Sequence, residues 1–349
     1  MAFTFVLPPE LSAKEPPERR GIRRDQVRLL VIDRAAGRIE HTRFDKIGDY
    51  LRAGDLLVFN SSRTLPAALR GCECSAEHGP CMEVRLAERL PDDSWLALLV
   101  CEQGDPFGCG LRAGMQIEFA EGLAATVLER DTNIPRLWQL RFSTSGIELV
   151  DLIYRLGKPI RYEYVSAPWD LDYYQTVYAA EPGSAEMPSA GRAFTWKLLL
   201  DLKRRSIENA YIVLHTGLSS YMDDELDRQH PASEEEYFVN RVTAGKINRT
   251  RERGGRVIAV GTTVVRALES TASENGRVTE AHGYTRLKID HQHRLRSVDG
   301  LLTGLHEPEA SHLDLLSAFL SAEQIHAAYR EAIARRYLWH EFGDLNLIL

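Results

Sequence analysis

The sequence predicts a layered α/β main domain, discontinuous along the chain, with an inserted small antiparallel β-barrel domain. Two nearly continuous aliphatic runs near the start are typical of buried strands, and helix and strand signals alternate after about Gly146. Between these stretches, from about Leu65, short apolar runs recur between turn residues. We therefore expect residues 1–64 and 147–349 to form the α/β domain and residues 65–146 to form the barrel.

The first predicted strands are residues 27–32 and 55–59. The first run ends at Asp33, before an Ala-Ala-Gly turn, and the second ends at Asn60. Apolar runs without polar alternation, bounded by turn residues, are typical of strands that are buried on both faces. We expect both runs to lie inside the main sheet.

The stretch from residue 65 to residue 144 shows no helical periodicity of useful length. Its short apolar runs are separated by clusters of Gly, Pro, Asp and Asn, which is typical of a small antiparallel barrel or sandwich. The predicted barrel strands are residues 82–86, 95–100, 115–119, 124–128 and 137–142.

The last stretch alternates helices and strands, which is typical of a layered α/β domain. A final helix begins at Ser321, where Gln324 completes a capping box. The other predicted helices cover residues 194–205, 234–253 and 262–273. The predicted strands cover residues 210–214, 256–260, 284–289 and 295–302.

The composition is that of an ordinary globular protein. Of the 349 residues, 44% are hydrophobic and 27% are charged, which excludes disordered and coiled-coil classes. The formal charge of -7 excludes a uniformly basic protein that coats nucleic acid, although a local basic patch stays compatible with it. No apolar run is long enough for a membrane span, and the start does not resemble a signal peptide. We expect a cytoplasmic protein that contacts no membrane.

The five cysteines lie between Cys72 and Cys109, and we expect them to stay reduced because they do not resemble a disulfide framework. Cys72, Cys74, His78 and Cys81 are close enough along the chain to hold Zn²⁺, yet their spacing matches no common zinc module. The alternative is a plain hairpin with small residues near its turn. We favour the hairpin and assign no metal.

Two loops that follow predicted strands carry candidate functional residues. Gly261, Thr262 and Thr263 begin a predicted helix, whose free N–H groups and positive dipole end can hold a ligand. The alternative is that Thr262 only caps the helix. His215 enters a Gly/Ser loop that contains Gly217, so it is a candidate acid, base or substrate ligand. A buried structural histidine is the competing interpretation.

Two carboxylates are further candidates. Glu236 lies in an acidic run before Tyr237 and close to His230, and it offers a carboxylate to a cationic substrate. Because Ser233 and Glu236 also match a capping box, Glu236 has the alternative of only beginning a helix. Asp344 follows a glycine near the C-terminus and belongs either to a turn or to a ligand contact.

Several strings occur along the chain in a fixed order: Gly54-Asp-Leu-Leu-Val-Phe-Asn60-Ser-Ser-Arg63, Tyr174-Gln-Thr-Val-Tyr178, Pro188-Ser-Ala-Gly191, Leu214-His215-x-Gly217, Val257-Ile-Ala-Val-Gly261-Thr-Thr263-x-x-Arg266-x-Leu-Glu269-Ser, Leu316-Ser-Ala-Phe319 and Phe342-Gly-Asp344. They closely resemble the S-adenosylmethionine:tRNA ribosyltransferase-isomerase family of the queuosine pathway. The resemblance runs nearly end to end. It implies an α/β domain interrupted by a small β-barrel, in agreement with the change of pattern near Leu65.

The resemblance implies a transfer reaction that uses S-adenosylmethionine as co-substrate and needs no prosthetic group. In this reaction the ribosyl part of S-adenosylmethionine is moved to the aminomethyl group of 7-aminomethyl-7-deazaguanine in a tRNA anticodon stem-loop. The product is epoxyqueuosine, and adenine and methionine leave. A sulfonium requires a carboxylate or an aromatic face, the carbon beside sulfur requires a base, and adenine requires a proton donor.

The resemblance and the loop positions together define the expected site. We expect the catalytic side chains to be His215, His306, Glu236 and Asp344. The substrate-binding residues that we expect are Asn60, Arg63, Gly191, Gly217, Tyr237, Gly261, Thr262, Thr263 and Arg266. Candidates for phosphate contacts are Arg63, Arg266 and the cluster of Arg249, Arg251 and Arg253, with solvated surface arginines as the alternative. We favour a monomer.

Four loops depart from the family's pattern. Arg192 and Ala193 replace a Leu-His pair, and the loop after His215 has lost a glycine. A histidine is absent near His230, and the segment before His306 lacks an asparagine. Two alternatives to the family activity therefore stay open. One is a divergent paralogue that uses S-adenosylmethionine on a non-tRNA acceptor, and the other is a non-catalytic relative that binds S-adenosylmethionine or RNA.

Overall fold

A nine-stranded mixed sheet with helices on both faces and a closed six-stranded antiparallel barrel make up the fold. The computed structural model describes residues 5–74, 79–102, 110–162, 164–227, 234–308 and 310–349. The fold class expected from the sequence is confirmed. Within the described ranges no helix is both long enough and apolar enough to cross a membrane.

The strands are β1 (Arg28–Asp33), β2 (Arg38–Arg43), β3 (Leu56–Asn60), β4 (Ser62–Thr64), β5 (Ala68–Glu73), β6 (Cys81–Arg89), β7 (Trp95–Cys101), β8 (Gln116–Glu118), β9 (Ala124–Arg130), β10 (Leu137–Phe142), β11 (Glu181–Ser184), β12 (Glu208–Leu214), β13 (Glu235–Val239), β14 (Val257–Val260), β15 (Ala281–Thr285), β16 (Gly300–Gly304) and β17 (Leu345–Ile348). The α-helices are α1 (Gly146–Leu156), α2 (Trp196–Arg204), α3 (Asp224–Asp227), α4 (Arg241–Glu252), α5 (Thr262–Thr271), α6 (Ser311–Leu316) and α7 (Ala322–Ala334).

The main sheet has the order β15-β13-β12-β3-β14-β16-β17-β1-β2. Its centre is parallel, because β12, β3, β14 and β16 all run in one direction. On one face, Leu56 and Val58 of β3 pack with residues of α4, α5 and α7. On the other face, Leu57 and Phe59 pack with residues of α2. Burial on both faces explains why this strand has no polar alternation, as the sequence predicted.

The barrel contains β5 to β10 in the closed order β10-β7-β6-β5-β8-β9. Its strands lie within residues 68–142, and five of the six overlap a run predicted from the sequence. The chain enters the barrel after β4 and returns through α1, whose Leu149 and Ile153 pack into the barrel core. Strand β11 then pairs in parallel with β4, so the outgoing and returning segments lie side by side.

The helix predicted over residues 234–253 is wrong in its first part. Residues Glu235–Val239 form β13, in which buried and more exposed side chains alternate, and the helix α4 begins only at Arg241. Asn240 caps that helix by accepting a hydrogen bond from Thr243 N at 2.8 Å. The capping-box alternative for Glu236 therefore fails. The strands predicted at residues 284–289 and 295–302 are displaced, since β15 and β16 occupy Ala281–Thr285 and Gly300–Gly304.

The expectation that all the cysteines stay reduced is also wrong. Cys72 of β5 and Cys81 of β6 are directly opposite each other, with a Cα–Cα distance of 4.0 Å, and form a disulfide. Cys74 is a free thiol that donates to Glu118 Oε1 at 2.8 Å. His78 lies outside the described residues. Within the described part of the chain, no group of three or more His, Cys, Asp or Glu side chains is arranged to hold a metal ion.

Candidate active site

The parallel strands β3, β12, β14 and β16 end at one edge of the sheet, where ligands bind in open α/β folds. The residues at these four strand ends are Asn60, His215, Gly261 and Gly304. The structure brings Asn60, His215 and Thr263 into one cluster of hydrogen-bonded neighbours. The details of that cluster show which side chains are positioned and which are available.

Asn60 joins the ends of two neighbouring strands. Its Nδ2 donates to Leu214 O at 2.8 Å, and its Oδ1 accepts from Leu214 N at 3.0 Å. The same amide also accepts from Ser62 N at 3.0 Å and donates to Thr263 Oγ1 at 3.4 Å. Asn60 is buried and fully hydrogen-bonded, so its effect is to position the following residues, Ser62 and His215.

Ser62 hydrogen-bonds the ring of His215, and Ser184 hydrogen-bonds Ser62. Ser62 Oγ lies 2.7 Å from Nδ1, and Ser184 Oγ lies 2.5 Å from Ser62 Oγ. Both serines are fully buried. Gly183 packs against the ring so closely that a Cβ at this position would lie 2.5 Å from it. The ring is therefore fixed by contacts on its Nδ1 side.

The direction of these hydrogen bonds defines the tautomer of His215. Thr216 N donates to Ser184 Oγ at 3.0 Å, so the Ser184 hydroxyl proton is available for Ser62, and the Ser62 proton for Nδ1. The reverse direction leaves the Ser184 proton without an acceptor among the described residues, and an unmade buried hydrogen bond costs about 1–3 kcal/mol. The direction that satisfies both buried hydroxyls makes Nδ1 the acceptor, which corresponds to the tautomer with the ring proton on Nε2.

The environment of His215 disfavours the charged form of its ring. Burial lowers the pKa of its imidazole, and the nearby Arg89 acts in the same direction, whereas Glu236 and Glu181 oppose them. A neutral ring with its proton on Nε2 is a hydrogen-bond donor toward a substrate. A neutral N–H donor of this kind stabilises negative charge on a leaving group without adding a positive charge to the site.

His215 and Glu236 line the same cleft between the sheet and the barrel. The cleft has a volume of about 480 Å³, including solvent at its mouth. The barrel contributes Glu88 and Arg89 from β6 and Trp95 from β7. The inserted domain is therefore part of the site, which the sequence did not indicate.

The cleft is acidic. Burial, together with the neighbouring charges of Glu235 and Glu234, raises the pKa of Glu88 to about 8, although Arg286 acts in the opposite direction. Glu236 accepts a hydrogen bond from the imidazole of His282, with Oε1 and Nε2 2.8 Å apart. Carboxylates that repel each other in a partly enclosed cleft are stabilised in their charged form by a bound cation.

The start of α5 lies beside this cluster. Gly261 has a φ of 100°, a left-handed value that favours glycine, and its N–H donates to Leu302 O at 2.8 Å. Thr262 is buried, and Thr263 contacts Asn60 as described above. The turn at Ser189–Gly191 lies against this strand end, since a Cβ on Gly261 would be 3.7 Å from Ala190.

Gly191 marks a close approach within that turn. A Cβ at Gly191 would lie 1.9 Å from the hydroxyl of Tyr178, which leaves no room for any side chain. The turn also lines a second cavity of about 280 Å³ at the end of β16, together with Arg192, His340 and Glu341. Burial lowers the pKa of His340 to about 4 and raises the pKa of Glu341.

His306 and Asp344 line neither cavity. His306 is packed among Thr303, Tyr329 and Trp339, and burial holds its pKa well below the ordinary value. Asp344 is buried and accepts hydrogen bonds from Arg28 and from Leu338 N. The structure does not bring either residue together with His215 and Glu236 in one cavity.

The remaining binding candidates are dispersed. Arg266 is buried and ion-paired with Glu235, so in this structure its guanidinium joins α5 to β13. Tyr237 is buried on the α5 side of the sheet, and Gly217 is buried in the loop after His215. Arg63 is exposed, and its guanidinium lies 5.6 Å from the ring of Tyr154.

The arginine cluster of α4 lies away from the cleft. Ala244 and Ile247 of α4 pack on the same face of the sheet as Tyr237. Glu236 alternates to the opposite face, and Arg251 donates to the backbone oxygen of Gly276 at 2.7 Å. Arg249 and Arg253 therefore do not share a surface with the cleft. His230 lies outside the described residues.

A model of the queuosine biosynthesis protein family matches residues 1–348. The chain belongs to this family. Its relatives include proteins named S-adenosylmethionine:tRNA ribosyltransferase-isomerase from Symbiobacterium thermophilum, 40% identical, and from Carboxydothermus hydrogenoformans, 38% identical. Both alignments cover 99% of this chain and 98% of the relative.

A solved structure agrees with the fold of this queuosine biosynthesis family member. The crystal structure of S-adenosylmethionine tRNA ribosyltransferase from Thermotoga maritima is 33% identical, with a TM-score of 0.55. The comparison covers 99% of each chain. The likeness therefore extends over both the sheet and the barrel.

One departure from the family pattern has a partner in the structure. Arg192 is 3% exposed, and its NH2 group donates to Glu18 Oε2 at 2.8 Å. Its guanidinium also lies 5.1 Å from the ring of Phe342. The substituted residue Arg192 of this family member is thus ion-paired and packed against its neighbours.

Sequence reasoning missed Ser62, Ser184, Glu88 and His282. Ser62 lies in the segment from Gly54 to Arg63 that resembles the family, but a buried serine that hydrogen-bonds a histidine 153 residues away leaves no local signal in the sequence. Glu88 and His282 lie on strands in which more exposed residues alternate with less exposed ones, and this alternation indicates exposure to solvent but not function. Only the docking of the barrel against the sheet brings Glu88 close to His215.

Proposed function

We propose that this protein is an S-adenosylmethionine-dependent tRNA ribosyltransferase-isomerase. It moves the ribosyl part of S-adenosylmethionine to 7-aminomethyl-7-deazaguanine in a tRNA anticodon and releases adenine and methionine. The observation that carries the proposal is the 38–40% identity, over nearly the whole length, to relatives with that name. The cleft chemistry supports it independently.

The acidic cleft suits the sulfonium of S-adenosylmethionine. The carboxylates of Glu88 and Glu236 line one cavity, and the raised pKa of Glu88 reflects both burial and the charges of Glu235 and Glu234. Because a pKa of about 8 keeps the Glu88 carboxyl largely protonated near pH 7, a bound sulfonium favours its charged form and releases that proton. We therefore assign Glu88 and Glu236 to the sulfonium side of the substrate.

We assign His215 to the departing adenine. Its neutral ring carries the proton on Nε2, so it donates a hydrogen bond to the nitrogen that gains electron density as the glycosidic bond breaks. Glu236 lies beside it in the cleft, because His215 N donates to Glu236 O at 2.9 Å. The carboxylate of Glu236 is the nearest candidate to accept the proton from the carbon beside sulfur.

The test is adenine release from purified protein and S-adenosylmethionine, with and without tRNA that contains the 7-aminomethyl-7-deazaguanine base. We expect release only when both substrates are present. Release without RNA would overturn the proposal in favour of another acceptor. Binding of S-adenosylmethionine in calorimetry without any release would overturn it in favour of a binding protein.

A matched pair of histidine variants tests the site. His215→Ala should lower kcat by about 100-fold or more, the usual contribution of a positioned acid or base. His291→Ala is the control, because His291 is exposed in a loop away from the described cavities. Equal activities of the two variants would remove His215 from the mechanism.

A further inference from the structure

Three strands extend the surface that carries His215 and Glu236. Strand β13 pairs antiparallel with β12 on one side and with β15 on the other. In this register Glu236 lies opposite Tyr284, and Phe238 lies opposite both Val213 and His282. Because alternate residues of a strand share a face, Phe238, His282 and Tyr284 lie on the same face as Glu236.

These three side chains, named here the stacking face, are exposed to solvent. Phe238 is 39% exposed, Tyr284 is 38% exposed, and the His282 side chain is 63% exposed. The opposite face of the same strands is covered by α5, where Tyr237 and Val239 are buried. An aromatic row on the open face of a sheet, where polar side chains are usual, indicates a ligand-binding surface.

We propose that the stacking face binds unpaired bases of the RNA substrate next to the nucleotide that enters the cleft. This inference rests on the proposed function and names a further part of the substrate site. Residues i and i+2 of a strand are about 6.6 Å apart, so Phe238 lies one such step along β13 from Glu236, which lines the cleft. The stacking face therefore borders the cleft, within reach of the nucleotides that flank a base bound there.

RNA fits the stacking face better than a protein partner does. Extruding a base into a pocket removes its stacking on both neighbours, which costs a few kcal/mol, and aromatic side chains recover that loss. The three members of the face are a phenylalanine, a histidine and a tyrosine, all of which stack on bases. Arg89 in the cleft and Arg286, just after β15, add guanidinium groups at its border.

The charges around the face make stacking the main source of affinity. The acidic groups on this side are Glu88, Glu234 and Glu236, and Arg286 is already ion-paired with Glu234. Phosphates are therefore weakly attracted here. We expect the contribution of the aromatic side chains to persist at high salt, unlike contacts between phosphates and arginines.

The test measures the dissociation constant of an anticodon stem-loop RNA that carries the modified base. Phe238→Ala and Tyr284→Ala should each raise it by about 5- to 150-fold, the range measured for base–aromatic stacking. The dissociation constant for S-adenosylmethionine should stay unchanged. Trp196→Ala is the matched control, because Trp196 is 57% exposed on α2 and lies outside the face.

Two conservative variants separate stacking from general apolar contact. Phe238→Tyr should bind the RNA as the wild-type protein does, whereas Phe238→Leu should lose affinity although it keeps an apolar side chain. Equal affinity of the Leu variant and the wild type would overturn the stacking proposal. A wild-type dimer in sedimentation that Phe238→Ala dissociates would also overturn it, in favour of a contact between copies.

The outcomes also distinguish this inference from the proposed function. If the wild type binds RNA and releases adenine while both alanine variants match Trp196→Ala, only the stacking face is refuted. If RNA affinity depends on Phe238 and Tyr284 but no adenine is released, the stacking face stands and the proposed function fails. Absence of RNA binding by the wild type would refute both.

Discussion

Ser62→Ala should alter the tautomer, the pKa and the catalytic contribution of His215. Ser62 is the only described side chain that hydrogen-bonds the His215 ring, with Oγ and Nδ1 2.7 Å apart. It is fully buried, so no water from bulk solvent replaces its hydroxyl in the native structure. Removing it leaves Nδ1 and the Ser184 hydroxyl without their partner.

The magnitude follows from the two hydrogen bonds that are lost. Each unmade buried hydrogen bond costs about 1–3 kcal/mol, so for two of them we expect the free energy of unfolding to fall by about 2–6 kcal/mol. If about 1–3 kcal/mol of that orientation energy is expressed in the transition state, kcat falls by about 5- to 150-fold. A donor to Nδ1 favours the neutral ring, so its removal raises the pKa of His215 toward the ordinary value of 6.5.

The assay is ¹⁵N NMR of the histidine rings across a pH titration, combined with adenine release. The wild type should show the Nε2–H tautomer at His215, and Ser62→Ala should show a mixture and a higher pKa. Ser61→Ala is the matched control, because Ser61 is a buried serine that donates to Ile212 O at 3.0 Å and does not touch His215. An Nδ1–H tautomer in the wild type, or identical titrations of the two variants, would refute the reasoning.

Three further variants test other features of the structure. Burial raises the pKa of Glu186 to about 8 from 4.5, so the folded protein holds a proton that the unfolded chain releases, and stability falls as pH rises between these values. Glu186→Gln should flatten that slope and stabilise the protein by up to about 3 kcal/mol near pH 7, measured by urea unfolding at both ends of the range. Gly191→Ala should destabilise by more than about 2 kcal/mol, because its Cβ meets the Tyr178 hydroxyl, whereas Gly304→Ala, with nothing within 4 Å, should change thermal unfolding little. Replacing Cys72 and Cys81 by serine should lower the free energy of unfolding, measured by urea unfolding under oxidising conditions, by about 2–3 kcal/mol, and an unchanged free energy would contradict a stabilising disulfide.

The elements that could be predicted are those with strong local patterns. Strand β3 is apolar at nearly every position because both of its faces are buried, and α7 begins at the predicted capping box of Ser321 and Gln324. Strand β2 escaped prediction because it lies at the sheet edge and its six residues include no buried side chain. Strand β13 was assigned to a helix because its acidic start obscured the alternation of buried and exposed residues.

The site was predictable only where a strand end carries a reactive side chain. His215 and Glu236 share a cleft, although only His215 follows a strand that was predicted correctly. Residue type alone did not distinguish them from Asp344 and Arg266, which are themselves buried and ion-paired with side chains from distant segments. Whether an ionisable side chain is buried and paired or open to a cleft depends on tertiary contacts, and the local sequence spacing does not encode those contacts.

The position of the barrel in the chain explains how it contributes to the site. The chain leaves the sheet just after Asn60, at the carboxyl edge where open α/β folds bind ligands, and it returns beside that point through β11. The outgoing segment carries Ser62, which hydrogen-bonds the ring of His215, and the returning segment carries Ser184, which hydrogen-bonds Ser62. Any displacement of the barrel that separates β4 from β11 would break this chain of hydrogen bonds. The insertion therefore supplies Glu88 to the cleft and at the same time couples the orientation of His215 to the docking of the barrel.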